Sequence, residues 1–149
     1  MGGGVFFGIN SPHNTKIVMP DSVNNITGAE MVAIMTAFIK APQIVDSSVT
    51  NLLIVVDNLA AVRLTRTITS PFCTSSNNLL LANVLSNDPS VRKAIDTIIQ
   101  CKSRWSRIRV EHAHSHSGRN DINSRGNQAA DALATEACRS NWIPDALTT

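Results

Sequence analysis

Aromatic residues are scarce in this sequence: Trp and Phe make up 4% of the 149 residues, and tyrosine is absent. Because 43% of the residues are still hydrophobic, we expect a core of aliphatic side chains. A chain of this length predicts one domain over residues 1–149, with a flexible tail from about residue 140. The composition therefore favours a small globular domain over a fibrous or repetitive protein.

Cysteine, net charge and long apolar runs are also limited. Three widely spaced cysteines without a CxxC pair argue against a disulfide scaffold and predict free thiols. No apolar run is long enough to cross a membrane, and the N-terminus does not resemble a signal peptide. We therefore expect an intracellular protein, cytoplasmic or nuclear, that is neither secreted nor membrane-bound. A net charge of +2 permits nucleic-acid binding through a local basic patch without indicating it.

Hydrophobic periodicity predicts an α/β domain with a mixed β-sheet flanked by helices, in the order β-β-α-β-α-α-β-α. The run LLIVV at 52–56 is typical of a central strand that is buried on both faces and has parallel neighbours. A helix over 29–39 should stop at Pro42, and Pro89 should open another helix. The predicted strands are 4–9, 17–19, 52–56 and 107–112, and the predicted helices of this order are 29–39, 58–67, 88–101 and 128–139. A further helical piece is predicted at 77–85.

Three acidic residues lie at or near the ends of predicted elements: Glu30, Asp57 and Asp131. Asp57 follows the apolar run directly, at the strand end where α/β sheets bind ligands. Each acid also has a structural explanation, a helix dipole for Glu30 and Asp131 and a strand-end cap for Asp57. Taken together, three acids followed by a His-Ser-Gly loop indicate a metal-dependent phosphodiester site.

The histidines at 112, 114 and 116 alternate, so on a strand their side chains would share one face. A His-x-His pair at a strand end is also typical of zinc hydrolases, and this alternative stays open although no later histidine completes a nitrogen-rich site. His112 and His114 are equally explained as partly buried strand residues. His116, beside Ser117 and Gly118, is the better candidate for a proton shuttle.

The segment RIRVEHAHSHSGRNDINSRGNQAADALA resembles the C-terminal signature of type 1 ribonuclease H, of the fungal or retroelement kind. The segments GGVFFGINSP, GAEMVAI and IVVDN resemble the family's second strand, helix glutamate and strand-end aspartate. The resemblance implies a ribonuclease H-like fold and a Mg²⁺-dependent endonuclease, with Mn²⁺ as a substitute, that cuts the RNA strand of RNA–DNA hybrids. It implies metal binding by Glu30, Asp57 and Asp131, catalysis by these acids with His116, and substrate binding by Ser117, Gly118 and Asn127.

The sequence departs from the family at its beginning. The family carries its first catalytic aspartate in an Asp-Gly-Ser turn, on a strand that precedes the segment GGVFFG, and this sequence has no counterpart. We therefore expect an unpaired edge or a gap in the sheet, which invites addition of a partner strand. The incomplete carboxylate set predicts a weak or inactive enzyme. The alternatives are a non-catalytic nucleic-acid-binding module and a retroelement-derived domain, and the oligomeric state stays open.

Overall fold

The structure is a computed structural model, and it describes residues 2–8, 10–19, 23, 25–74, 88–113 and 122–137. The order of elements in these residues is β-β-α-β-α-α-β-α, as the sequence predicts. The strands are β1 (Gly2–Val5), β2 (Thr15–Val18), β3 (Asn51–Val56) and β4 (Arg107–His112). The helices are α1 (Ile26–Ile44), α2 (Leu59–Thr69), α3 (Pro89–Cys101) and α4 (Ile122–Ala137), and a short 3-10 turn, Lys102–Arg104, follows α3.

The described strands form two separate pairs instead of the single mixed sheet that the sequence predicts. β1 pairs with β2 antiparallel, with Gly2 opposite Val18 and Val5 opposite Thr15. β3 pairs with β4 in parallel register, and this confirms the predicted parallel neighbour of the LLIVV run. Among the described residues, no strand pairs with the second edge of β1 or of β3. β3 is therefore not a central strand here, and it is not buried on both faces, since Leu53 is 48% exposed.

Local side-chain chemistry fixes where the helices begin. The side chain of Asn25 accepts a hydrogen bond from the backbone N–H of Gly28 at 2.7 Å, and this caps the start of α1. Asp88 accepts from the N–H of Ser90 at 2.9 Å, and Pro89 occupies the first helical position, as the sequence predicts. Asn58 caps α2 by accepting from the N–H of Ala61 at 2.9 Å.

Two helix boundaries differ from the predicted ones. α1 continues through Pro42 to Ile44, because the proline lies in the last turn and only two helical residues follow it. α4 begins at Ile122 and not at residue 128 as predicted. The sequence pattern misses the first turns because they are polar and have no apolar period. The predicted helical piece at 77–85 and the tail from about residue 140 lie outside the described residues.

The core is aliphatic, as the composition predicts, and is built around α1. Met31, Met35 and Phe38 of this helix are fully buried. Ile95 and Ile98 of α3 are buried as well, and α3 packs against α1. None of the described helices is long and apolar enough to cross a membrane. Cys73 and Cys101 form no disulfide within the described part of the chain, and the third cysteine lies outside it.

Candidate functional site

A cavity of about 600 Å³ separates the open edge of β1 from the open edge of β3. Residues 2–8 and 51–56 all border it, including consecutive residues whose side chains point to opposite faces. A cavity under one face of a sheet would touch only alternate residues, so the two strand edges themselves face the opening. Side chains of α1 and α4 complete the lining. We call this cavity the interstrand slot.

Glu30 lies in the second turn of α1 and lines the interstrand slot. The helix buries its apolar face in the core, and this orientation leaves Glu30 partly buried at the edge of that face. The pKa of the Glu30 carboxyl is raised from 4.5 to about 7. Burial is the largest cause of this change, and the negative charges of Asp57 and Asp131 are the next largest. A hydrogen bond between the Glu30 and Asp57 side chains adds to the effect, because the protonated Glu30 carboxyl donates it.

Asp57 follows the last residue of β3 and is held there by contacts on both sides of the strand end. Its backbone oxygen lies 3.1 Å from Nε2 of His112 on the neighbouring strand. The next residue, Asn58, caps α2 and also accepts a hydrogen bond from the Thr27 hydroxyl of α1 at 3.4 Å. These contacts join the end of β3 to the start of α1, and so they bring Asp57 next to Glu30.

Asp131 lies in the middle of α4, since this helix begins at Ile122. The prediction that placed Asp131 in the first turns is therefore wrong, and a helix-dipole explanation no longer applies to it. Gly4 of β1 packs so closely on α4 that a Cβ atom there would lie 2.7 Å from the Cβ of Leu133. This close approach holds α4 against the slot, where Asp131 lines the same cavity as Glu30.

In the structure, the three predicted acids lie close enough that the charges of Asp57 and Asp131 act on Glu30. Carboxylate oxygens are the ligands that Mg²⁺ prefers, so the donor set fits a hard divalent cation in kind. Within the part of the chain that the structure describes, no group of three or more His, Cys, Asp or Glu side chains is arranged to hold a metal ion. The two findings are compatible, because charges interact over about 10 Å whereas Mg²⁺ coordination requires about 2 Å.

Two buried donors in the lining of the slot have no acceptor among the residues that the structure describes. The side chain of Asn127 is 8% exposed, and its Nδ2 atom makes no hydrogen bond. The indole Nε1 of Trp105, a residue that is 7% exposed, is likewise without a partner. Sequence reasoning named Asn127 only through the family resemblance and did not identify Trp105. Buried N–H groups are nearly always paired in proteins. These two donors therefore give the largely apolar slot two polar positions at which an acceptor could bind.

The remaining predicted site residues are His116, Ser117 and Gly118, and they lie outside the described residues. His114 lies outside them too, so the shared face of the three histidines and the zinc alternative remain predictions. His112 is described, and its side chain is exposed instead of partly buried. It lies at the last position of β4, where the strand leaves the sheet.

Lys102, Arg104, Arg107 and Arg109 form the densest basic run of the sequence, and three of these side chains make contacts within the protein. Lys102 donates from Nζ to the carbonyl oxygens of Ile68 and Ser70 at 3.0 and 2.7 Å, at the C-terminal end of α2. Arg104 lies over the ring of Trp105 at 4.6 Å and donates to two backbone carbonyls. Arg109 forms an ion pair with Glu111. These contacts favour the structural explanation of the basic run over a nucleic-acid-binding patch.

The lining of the slot carries a sequence signal that pattern analysis did not use. Small residues recur every four positions along α1, at Ala29, Ala33, Ala37 and Ala41, and three glycines begin β1. In a helix that faces a sheet, such spacing indicates close approach of another backbone. In comparisons with known proteins, no family model matches this sequence, and a search of curated proteins finds no match. Function is therefore inferred from the motifs and from the geometry of the site.

Proposed function

We propose that this chain is a ribonuclease H-like domain that acts as a Mg²⁺-dependent endonuclease on the RNA strand of RNA–DNA hybrids, with a carboxylate set that supports only slow turnover. The observation that carries the proposal is the placement of Glu30 and Asp131 in one cavity with Asp57 beside Glu30, where burial and then the negative charges of the two aspartates raise the pKa of Glu30 to about 7. The three acids come from α1, from the end of β3 and from α4. Each lies in a segment of the sequence that resembles a segment of type 1 ribonuclease H.

The physical reason is charge neutralisation. Carboxylates that repel one another gain from a shared divalent cation, which removes the repulsion and holds them together. Bound Mg²⁺ supplies Lewis-acid stabilisation of the charge that develops on the phosphodiester oxygens. Glu30, Asp57 and Asp131 would hold the ion, and their position at one end of the slot would set where a scissile phosphate lies. Mn²⁺ would substitute because it prefers the same oxygen ligands.

His116, which follows β4 in the sequence, is proposed to donate a proton to the leaving oxygen. Ser117 and Gly118, together with Asn127 of α4, are the proposed substrate contacts. Asn127 has two N–H donors on its amide, so it can serve a substrate oxygen and a second acceptor in the slot.

The slow turnover follows from the number of carboxylates. Two-metal hydrolysis clamps both the attacking and the leaving oxygen between ions about 4 Å apart, which needs ligands that bridge the two ions. Three acids can hold one ion well and a second ion poorly. Loss of one bridging carboxylate is expected to cost several kcal/mol of barrier, or about 10³-fold or more in rate.

The test is single-turnover cleavage of a labelled RNA–DNA hybrid in Mg²⁺ and in Mn²⁺. We expect slow cleavage of the RNA strand only, lost on chelation and lost in Asp57→Asn. Asp96→Asn is the matched control, since Asp96 is an exposed acid of α3 that does not border the slot. Cleavage that persists unchanged in Asp57→Asn would contradict the proposal.

A second candidate function is a nucleic-acid-binding module without catalysis, including a domain of retroelement origin. The observation that favours it is the absence, among the described residues, of a preassembled group of metal-binding side chains. In a filter-binding measurement with the same labelled hybrid, this module would bind with equal strength in Mg²⁺ and in EDTA. It would leave both strands intact at long incubation times with either metal.

A further inference from the structure

The turn after α2 exposes an aromatic ring on a firmly held backbone. Phe72 lies in this turn and is 93% exposed, more than any other large hydrophobic residue that the structure describes. The backbone N–H of Cys73 donates to the carbonyl oxygen of Ser70 at 3.1 Å, and the Cys73 side chain is buried. Lys102 donates from Nζ to the same oxygen at 2.7 Å and also to the carbonyl oxygen of Cys73. The ring is therefore presented by an anchored turn, which lowers the entropy that binding would cost.

A cavity of about 480 Å³ lies beside this turn. Ser70 and Pro71 of the turn border it, and so do the four consecutive β4 residues 108–111. Consecutive side chains of a strand point to opposite faces, and no residue of β3 borders the cavity. The cavity thus lies at the edge of β4 that faces away from β3. Ligand pockets have volumes of about 300–1,000 Å³, so this one is large enough for a small ligand or for one unit of a polymer.

Arg66 of α2 is a positioned cation in the wall of this cavity. Its Nε donates to the carbonyl oxygen of Val110 at 2.9 Å, which uses one of the five N–H donors of the guanidinium. Arg63 lies one turn earlier on the same helix and is exposed, and α2 contains no acidic residue. Within the described part of the chain, neither arginine has an ion-pair partner. This end of α2 therefore attracts anions, and the planar guanidinium of Arg66 suits a phosphate group.

The other arginine of the cavity is paired with an acid. Arg109 forms an ion pair with Glu111, and both side chains border the cavity. The Glu111 carboxylate would repel a phosphate that approached Arg109. The favourable position for a phosphate is therefore at Arg66. Arg66 also lies outside the basic run 102–109, so the structural contacts of that run do not occupy it.

This combination of groups fits a single-stranded nucleic acid better than a protein segment. Proteins that bind single strands stack bases on exposed aromatic rings and neutralise the phosphates with basic side chains. A protein interface is built around a core of several apolar side chains, whereas this surface offers one exposed ring, that of Phe72. An extended peptide would need the backbone of the β4 edge, where Arg66 already occupies the carbonyl oxygen of Val110.

We propose that Phe72 and Arg66 form a binding site for single-stranded nucleic acid, in which a base stacks on Phe72 and a neighbouring phosphate lies against Arg66 at the mouth of the cavity. α2 starts two residues after Asp57 and runs for 11 residues, or about 16 Å, so this surface is separate from the acidic residues of the candidate site. The proposal goes beyond the nuclease function and does not require it, since stacking and phosphate contact need neither a metal ion nor the three acids.

The experiment measures the fluorescence anisotropy of a labelled oligouridylate of about 12 nucleotides with the full chain in EDTA. Phe72→Leu keeps an apolar side chain but removes the aromatic face, and it should weaken binding about tenfold. Phe72→Trp should bind at least as tightly, and the oligonucleotide should quench the fluorescence of the introduced indole. Val49→Ala, at an exposed apolar position outside this cavity, is the control and should bind as the original chain does. Because Phe72 is 93% exposed, its replacement leaves the fold intact, and unchanged affinity in Phe72→Leu would overturn the proposal.

The dependence of the affinity on salt tests the phosphate position. Arg66→Gln should reduce the slope of the logarithm of affinity against the logarithm of salt concentration by about 0.7, the value for one phosphate of a single strand, and Arg66→Lys should keep most of the slope. Glu111→Gln releases Arg109 and should tighten binding about twofold to fivefold. Arg92→Gln, at an exposed position of α3 outside the cavity, should change neither quantity. Weaker binding by Glu111→Gln, or a slope that Arg66→Gln leaves unchanged, would overturn the assignment.

An acidic peptide is the competing occupant. A blocked hexaglutamate peptide carries charge without bases, so it should displace the oligouridylate only weakly, and its own binding should not depend on Phe72. Binding of this peptide as tight as that of the oligouridylate, and weakened by Phe72→Leu, would overturn the proposal in favour of a protein partner. Cleavage of the hybrid does not enter these measurements, so a failure here leaves the nuclease function untouched, and the reverse is also true.

Discussion

Glu30→Gln should stabilise the protein at and above neutral pH and flatten the pH dependence of its stability. The pKa of Glu30 is about 7 in the folded state, against 4.5 ordinarily, so the folded protein binds more protons between these values. The contribution of Glu30 is therefore most favourable below about pH 4.5 and decreases as pH rises to about 7. One pKa unit corresponds to about 1.4 kcal/mol, so the complete loss is about 3 kcal/mol.

Urea denaturation at a series of pH values measures this effect as a difference between the two proteins. At pH 4.5 the free energies of unfolding should agree, because Gln resembles protonated Glu, and near pH 8 the variant should be more stable by about 3 kcal/mol. Asp96→Asn, which removes an exposed acid of α3, should give a curve parallel to that of the original protein. Parallel curves for Glu30→Gln as well would refute the reasoning, since Glu30 would then titrate normally.

Substitutions at four further positions test the packing and the helix ends. Gly4→Ala should unfold the β1–α4 contact, because its Cβ would lie 2.7 Å from that of Leu133, whereas Gly126→Ala meets only ordinary contacts and should stabilise α4 by about 0.5–1 kcal/mol in thermal denaturation. Lys102→Met should lower the free energy of unfolding by about 1–3 kcal/mol, because carbonyl oxygens at the C-terminal end of α2 lose their donor. Asn25→Ala should cost about 1 kcal/mol by removing the cap of α1, and Asn25→Asp should restore most of it.

Local signals predicted the individual elements well. Arg107–His112 was predicted with its observed bounds, and the Asp88-Pro89 pair located the start of α3. These segments carry their information within a few residues, as a strand period or a cap. α4 is different, because its first turns are polar and carry no local apolar period. Gly126 in these turns lies near the ring of Phe6, the residue that follows β1, since a Cβ atom at Gly126 would be 3.5 Å from that ring.

The partners of the strands could not be read from the sequence. The run 52–56 predicts a buried strand with parallel neighbours, and β4 supplies one such neighbour. Which strand, if any, pairs with the second edge depends on how α1 and α4 position β1 relative to β3. The exposure of Leu53 is a consequence of this arrangement, since one face of the two-stranded pair is left partly open.

For the candidate site, the sequence predicted the residue types and the structure supplies their placement. Asp57 could be recognised from the sequence because it directly follows five apolar residues. A carboxylate at such a position is costly to bury unless a cation or a hydrogen-bond donor compensates its charge. The placement of Asp131 was predicted incorrectly, as the first turns of α4 were not recognised. Trp105 and the slot depend on three-dimensional packing, and only the spacing of the alanines in α1 hinted at them.

The most direct test of the central claim, that Glu30, Asp57 and Asp131 form one cation site, is a carboxyl NMR titration of Glu30 with and without millimolar Mg²⁺. Without metal the pKa of Glu30 should be about 7, and Asp131→Asn should lower it. Mg²⁺ should lower it by about one unit or more, because a cation favours the charged carboxylate. A pKa near 4.5 without metal, or a pKa of about 7 that Mg²⁺ leaves unchanged, would contradict the account.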